Sequence, residues 1–134
     1  MKSPEEIMRE LYAHLVYWQR QLRLDGVDIE LRWMAKDAED ADTLGLCDAE
    51  SNSSFYIIHI KHPDHLPERI KDNPFNCDWE VILVHELLHV RDDHWRSDER
   101  IWKVLSKGVP QLVYEVGVDA VAEALVRARR GIIR

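Results

Sequence analysis

The chain reads as a single α+β domain in which helices are segregated from a small sheet, and three observations predict this. An apolar stripe of helical period opens the chain, alternation of period two and a polar turn cluster fill the stretch from Val27 to His62, and helical spacing returns from Trp79 onward. At 134 residues the length suits one compact domain spanning positions 1–134. Apolar residues make up 46% and charged residues 32%, with only five Gly and five Pro, which excludes a disordered or low-complexity chain.

Each element follows from its local pattern. Ser3-Pro4-Glu5-Glu6 is a capping box with Pro at the first helical position, and Ile7, Leu11, Leu15, Trp18 and Leu22 then recur at steps of three and four. That helix should stop near Asp25-Gly26. Val27, Ile29, Leu31 and Trp33 alternate with Asp28, Glu30 and Arg32, as a half-buried strand requires. The acidic stretch Lys36 to Asp42 reads as a solvated loop. Leu44 to Glu50 and Phe55 to His62 flank Ser51-Asn52-Ser53-Ser54, which predicts a hairpin and a sheet of about three strands. After Pro63, Pro67 and Pro74, either Asn73-Pro74 or Asp78 caps a helix running from Trp79 to about Arg91. A further helix is expected from Ser97 to Gly108, and a last one from Pro110 to about Arg129.

The net charge of −7 has the wrong sign for binding that depends on neutralising phosphates, so no nucleic-acid partner is expected. The longest apolar runs, Val81 to Val84 and Phe55 to Ile58, fall far short of the roughly 20 residues needed to span a bilayer, so no membrane role is expected. Acids in Met1–Glu6 stand where a secretory signal would place its apolar stretch, which makes the cytoplasm the expected compartment. Cys47 and Cys77 lack CxxC spacing and read as free thiols.

The informative residues are His85-Glu86-Leu87-Leu88-His89, an HExxH pattern inside a predicted helix that is apolar almost all round. A chain of this composition shows the pattern by chance only about 3% of the time. Residues i and i+4 lie about 40° apart around a helix, so both imidazoles can reach one Zn²⁺ while Glu86 stands beside them as a general base. Catalytic zinc takes three protein ligands, so a third must come from elsewhere. His94 lies five residues beyond His89 and on a continued helix would point away from His85. Glu115 is the better candidate, because Glu115 and Asp119 share a face of the last helix with Val118, Ala122, Leu125 and Val126, while Ala120, Glu123 and Arg127 lie opposite. Carboxylates on an apolar stripe need compensation, which a metal with its histidines supplies and which an ion pair to a neighbouring Arg or Lys would also supply. His59, His62 and His65 cross a strand end and a Pro-containing loop and read as surface or rim residues, and His14 as partly exposed. The five Trp read as packing, and no phosphate loop or GxSxG elbow is present.

His85-Glu86-x-x-His89 followed by Glu115-x-x-x-Asp119 resembles the gluzincin arrangement of thermolysin-like zinc peptidases. More closely, Glu115-x-x-x-Asp119-x-x-Ala122-x-x-Leu125-Val126 is similar to the E-x-x-A-[N/D]-x-F-A-x-x-L-L stretch of ImmA/IrrE-type and related phage-encoded metallopeptidases. The chain departs from that stretch at Val118 and Val121 and has no Pro after Val126. The resemblance implies a zincin-like fold, Zn²⁺ held by His85, His89 and Glu115, Asp119 supporting a liganding imidazole, and a peptide or protein substrate. The expected activity is zinc-dependent peptide hydrolysis with Glu86 as general base. The alternatives are a noncatalytic module stabilised by zinc, and a regulatory protease specific for one repressor-like partner. Tyr114, His94 and Tyr56 are candidates to stabilise the oxyanion, and the Phe55 to Ile60 run is the expected edge for an extended substrate.

Overall fold

In the computed structural model, residues 2–35, 44–49, 55–67, 77–95 and 111–131 are described. Helix α1 spans Pro4–Gln21 and starts as its capping sequence demands, with the Ser3 hydroxyl accepting from the Glu6 N–H at 3.2 Å. It ends a turn before the expected stop, because Arg23 adopts a left-handed φ of 58° that reverses the chain. The reversal buries both Leu22 and Leu24, and the Gln19 amide holds it by donating to the carbonyls of Leu24 and Val27. Burial of two leucines outweighs the roughly 1–2 kcal/mol that a left-handed non-glycine residue costs.

Strands β1 (Asp28–Trp33), β2 (Gly45–Ala49) and β3 (Phe55–Ile60) form a mixed sheet in the order β1-β3-β2. The hairpin expected from the polar turn cluster is present, since β2 and β3 pair antiparallel with Gly45 opposite Ile60 and Cys47 opposite Ile58. Strand β1 pairs parallel to β3, with Leu31 opposite Ile58. Strand β3 is therefore central, and its backbone groups are engaged on both sides. This overturns the expectation that the Phe55 to Ile60 run offers an edge to a substrate.

The true edges are β1 and β2, and they differ. The Tyr12 hydroxyl of α1 donates to the Leu31 carbonyl and accepts from the Leu31 N–H, so it occupies the outer edge of β1. In β2 the Lys61 N–H bonds the Leu44 carbonyl at 2.8 Å, which makes Leu44–Lys61 a hydrogen-bonded pair of the antiparallel ladder. By the alternation of such ladders, the N–H and C=O groups of Gly45 and Cys47 then point outward from the sheet.

A short 3₁₀ turn over Pro63–His65 follows β3. Helix α2 spans Trp79–Trp95 and helix α3 spans Gln111–Arg129. Asp78, not Asn73-Pro74, caps α2, its Oδ1 accepting from the N–H groups of Glu80 and Val81. Helix α2 runs four residues past the expected end at Arg91. The helix expected over Ser97 to Gly108 lies outside the described residues, as does the acidic stretch Lys36 to Asp42.

Helices α1 and α2 pack on one sheet face, whose Leu31, Tyr56, Ile58 and Ile60 join Leu11, Leu83, Leu87 and Val90 in one core. Each such aliphatic side chain contributes about 1.5–3 kcal/mol on burial. Helix α3 adds Ala122 and Val126 to this core, also buries Val118, and leaves Ala120, Glu123 and Arg127 exposed, as its periodicity predicts. At the far end of α3, Arg129 and Arg130 close on the buried Glu80, which also accepts from the Trp18 indole at 2.7 Å. This clasp ties α1, α2 and α3 together and sets the register of α3 along α2. Among the described residues, no helix is long and apolar enough to cross a membrane.

Candidate metal centre

The register of α3 on α2 brings together side chains that lie far apart in sequence. His85 and His89 stand one turn apart on the same side of α2, with their Nε2 atoms 3.1 Å from each other. Glu115 on α3 faces both: one carboxylate oxygen lies 3.2 Å from His85 Nε2 and the other 3.4 Å from His89 Nε2. Among the described residues this trio is the one group whose donor atoms converge as metal ligands would. A tetrahedral zinc ion with bonds of about 2.0–2.1 Å spaces its ligands about 3.3 Å apart, and the three contacts lie near that spacing, with Glu115 meeting the two rings through different oxygens. Two imidazoles and a carboxylate are also the donor types borderline metals prefer.

Asp119 approaches His85 from the other side of the ring, its Oδ1 2.7 Å from Nδ1. That contact places the proton of a neutral imidazole on Nδ1 and leaves the Nε2 lone pair facing the trio. The carboxylate of Asp119 is 66% exposed, however, so the expectation that both acids of the stripe are buried is corrected. Asp119 lies at the margin of the apolar stripe, where the ring of His85 can be reached from solvent. Glu115 is half-buried.

Glu86 points to the same side and is 5% exposed. Burial first, and then the neighbouring charges of Glu115 and Asp119, push its carboxyl up to about 8. No Lys or Arg among the described residues pairs with it. Burial also holds His89 below the ordinary histidine range, with the nearby Glu115 opposing, which favours a neutral ring with a lone pair to give.

These groups line a cleft of about 320 Å³ between β2, α2 and α3. Its walls also include Gly45, Leu46, Cys47, Asp92 and Asp93, which sequence reasoning had not joined to the motif. A lone glycine within a strand signals close approach of another group, and that signal was legible at Gly45. Tyr56, expected as one possible oxyanion partner, does reach the cleft; its hydroxyl donates to Asp93 at 2.7 Å. The side chains of His94 and Tyr114 lie outside the described residues. Cys47 is a free thiol that burial, and then Glu86, push up to about 12, so it is protonated at neutral pH.

The remaining histidines sit elsewhere. His59 pairs with Asp48 at 3.1 Å on the outer face of the hairpin, and His62 Nδ1 accepts from the Asp64 N–H. His14 is half-buried beside Glu80 and Arg129. Comparison of the chain with protein-family models, curated proteins and solved structures finds no match. The chemistry of the cleft is therefore the basis for a functional reading.

Proposed function

We propose that the chain is a zinc-dependent peptidase of zincin-like fold, and the observation that carries this reading is the convergence of donor atoms from His85, His89 and Glu115 with the buried Glu86 beside it. When bound there, zinc supplies a Lewis acid and lowers the pKa of a coordinated water. The residues of the chain do the rest. Glu86 is placed to accept a proton from an attacking water and to pass it to the leaving amine. Asp119 keeps His85 in the tautomer and orientation that present its Nε2. An extended peptide can pair with the outward N–H and C=O groups of Gly45 and Cys47, because β2 borders the cleft while Tyr12 occupies the opposite edge of the sheet. The likeness of Glu115-x-x-x-Asp119-x-x-Ala122 to the ImmA/IrrE-type motif supports the same assignment.

The test is elemental analysis and cleavage of labelled casein by the wild type, Glu86→Gln and Glu115→Ala. Wild type should carry one zinc per chain and cleave. Glu86→Gln should keep the zinc and lose about 10²–10⁴-fold in rate, the usual contribution of a general base. Glu115→Ala should lose the metal. Turnover that persists in Glu86→Gln refutes this mechanism, and stoichiometric zinc without wild-type turnover favours a noncatalytic zinc module.

A further inference from the structure

Gly45 stands at the start of β2, where the strand crosses the turn of α2 that carries the HExxH residues. Its φ is not in the left-handed region, so backbone freedom is not what this position requires. Space is. A Cβ at residue 45 would lie 3.1 Å from Glu86 Cγ, 3.2 Å from Glu86 Oε1 and 3.2 Å from the Cγ2 methyl of Ile82. Carbon atoms pack comfortably at about 3.5–4.0 Å, so any side chain here pushes on the Glu86 carboxylate from the strand side. The neighbouring donors crowd the other side, with His85 Nε2 3.8 Å from Glu86 Oε1. Gly26 shows the contrast: a Cβ there would meet nothing within 4 Å.

We infer that Gly45 is a positioning residue for the base: by lacking a side chain it lets the edge strand rest directly on Glu86 and fixes that carboxylate between the β2 backbone and the metal donors. The inference deepens the peptidase reading and rests on it. The same residue turns its Cα toward Glu86 and its N–H and C=O groups toward the outer edge of β2. One backbone position thus holds the base and offers hydrogen bonds to a peptide. A displacement of a few tenths of an ångström is enough to matter, since proton transfer and attack depend on near-contact geometry.

The experiment uses Co²⁺ as a spectroscopic stand-in for zinc and labelled casein as the substrate, with wild type, Gly45→Ala, Gly45→Ala/Ile82→Ala, Glu86→Gln and the control Gly26→Ala. The double variant removes the clash with Ile82 and keeps that with Glu86, which separates folding from placement of the base. Gly45→Ala and the double variant should bind Co²⁺ with Kd within about threefold of wild type, shift its visible absorption in the same direction as Glu86→Gln does, and lower kcat about 10–100-fold with KM within about twofold. Gly26→Ala should match wild type throughout. Wild-type kcat and an unchanged Co²⁺ spectrum in Gly45→Ala overturn the inference and leave the peptidase reading standing. Loss of Co²⁺ binding in both Gly45 variants also overturns it, because residue 45 would then support the fold and not the base. A wild type that binds Co²⁺ without cleaving, while Gly45→Ala still shifts the spectrum, removes the peptidase reading and leaves the placement of Glu86 intact.

Discussion

Glu80 and Glu86 lie on the same helix, less than two turns apart, and both are almost completely buried, yet the protein treats them in opposite ways. Around Glu80 the chain supplies its own countercharge: Arg129 and Arg130 donate at 2.6 and 3.1 Å, the Trp18 indole donates at 2.7 Å, and Arg129 in turn lies over the Tyr17 ring. Burial raises the Glu80 carboxyl, but these donors outweigh it and hold it below the usual range. Around Glu86 stand two histidines and two further acids, and its carboxyl is raised to about 8. The comparison teaches that this fold can neutralise a buried carboxylate with arginine where the acid serves structure. Among the described residues no arginine pairs with Glu86, and an added cation at the His85, His89 and Glu115 donors beside it would supply positive charge there.

The largest test of this contrast is thermodynamic. Glu80→Gln should destabilise the protein by about 2–3 kcal/mol in urea denaturation, below the 3–5 kcal/mol of a wholly buried pair because both guanidiniums keep contact with water. In protein stripped of metal by chelation, Glu86→Gln should move the urea midpoint upward at neutral pH, since burial forces that carboxyl to hold a proton well above its ordinary 4.5, whereas an amide needs none. Two shifts of the same sign would break the comparison.

A smaller effect sharpens the acid end. Asp119→Asn should weaken zinc binding about 10–100-fold by competition titration, although the carboxylate is largely exposed, because it removes the acceptor that orients His85. Unchanged affinity would detach Asp119 from the centre and leave Glu115 as its single acid from α3.

The smallest effect lies in the pH profile. Donors from Arg130 and from the first turn of α2 hold Asp78 below its ordinary value of 3.8 against the opposing effect of burial, and Glu80 lies below its ordinary 4.5. Groups depressed in the folded state add stability that is complete above those ordinary values and is lost as pH falls through the folded ones. Glu86 carries the opposite sign: with its carboxyl raised from 4.5 to about 8, metal-free protein should lose stability as pH rises across that interval. Urea midpoints between pH 3 and 9 should show Glu80→Gln flattening the acid limb and Glu86→Gln flattening the neutral one.

Much of the molecule was legible because its signals are local. The cap at Ser3, the alternation from Val27 to Trp33, the hairpin around Ser51 to Ser54 and the helical return at Trp79 each follow from the conformational preferences of a few neighbouring residues. HExxH was legible for the same reason, since one turn of helix holds all its members, and the spacing of Glu115 and Asp119 marked one face of α3. The pairing of β1 with β3 was not legible, because a parallel contact between distant strands depends on which edge α1 covers. Arg129 and Arg130 gave no sign of their partner at Glu80, and nothing in the periodicity distinguished the half-buried Glu115 from the exposed Asp119 one turn on.

By itself, then, the amino-acid sequence determined the elements, their amphipathic faces and the residue types able to take a cation, since these depend on period, capping and side-chain chemistry within a turn or two. Only the tertiary structure decided that β3 is central and β2 the edge beside the cleft, that α3 is clasped to α2 in the register that brings Glu115 to the histidines, and that Gly45 rests on Glu86. Those are contacts between segments tens of residues apart, and their geometry is set by which surfaces bury one another, a property of the whole packed chain.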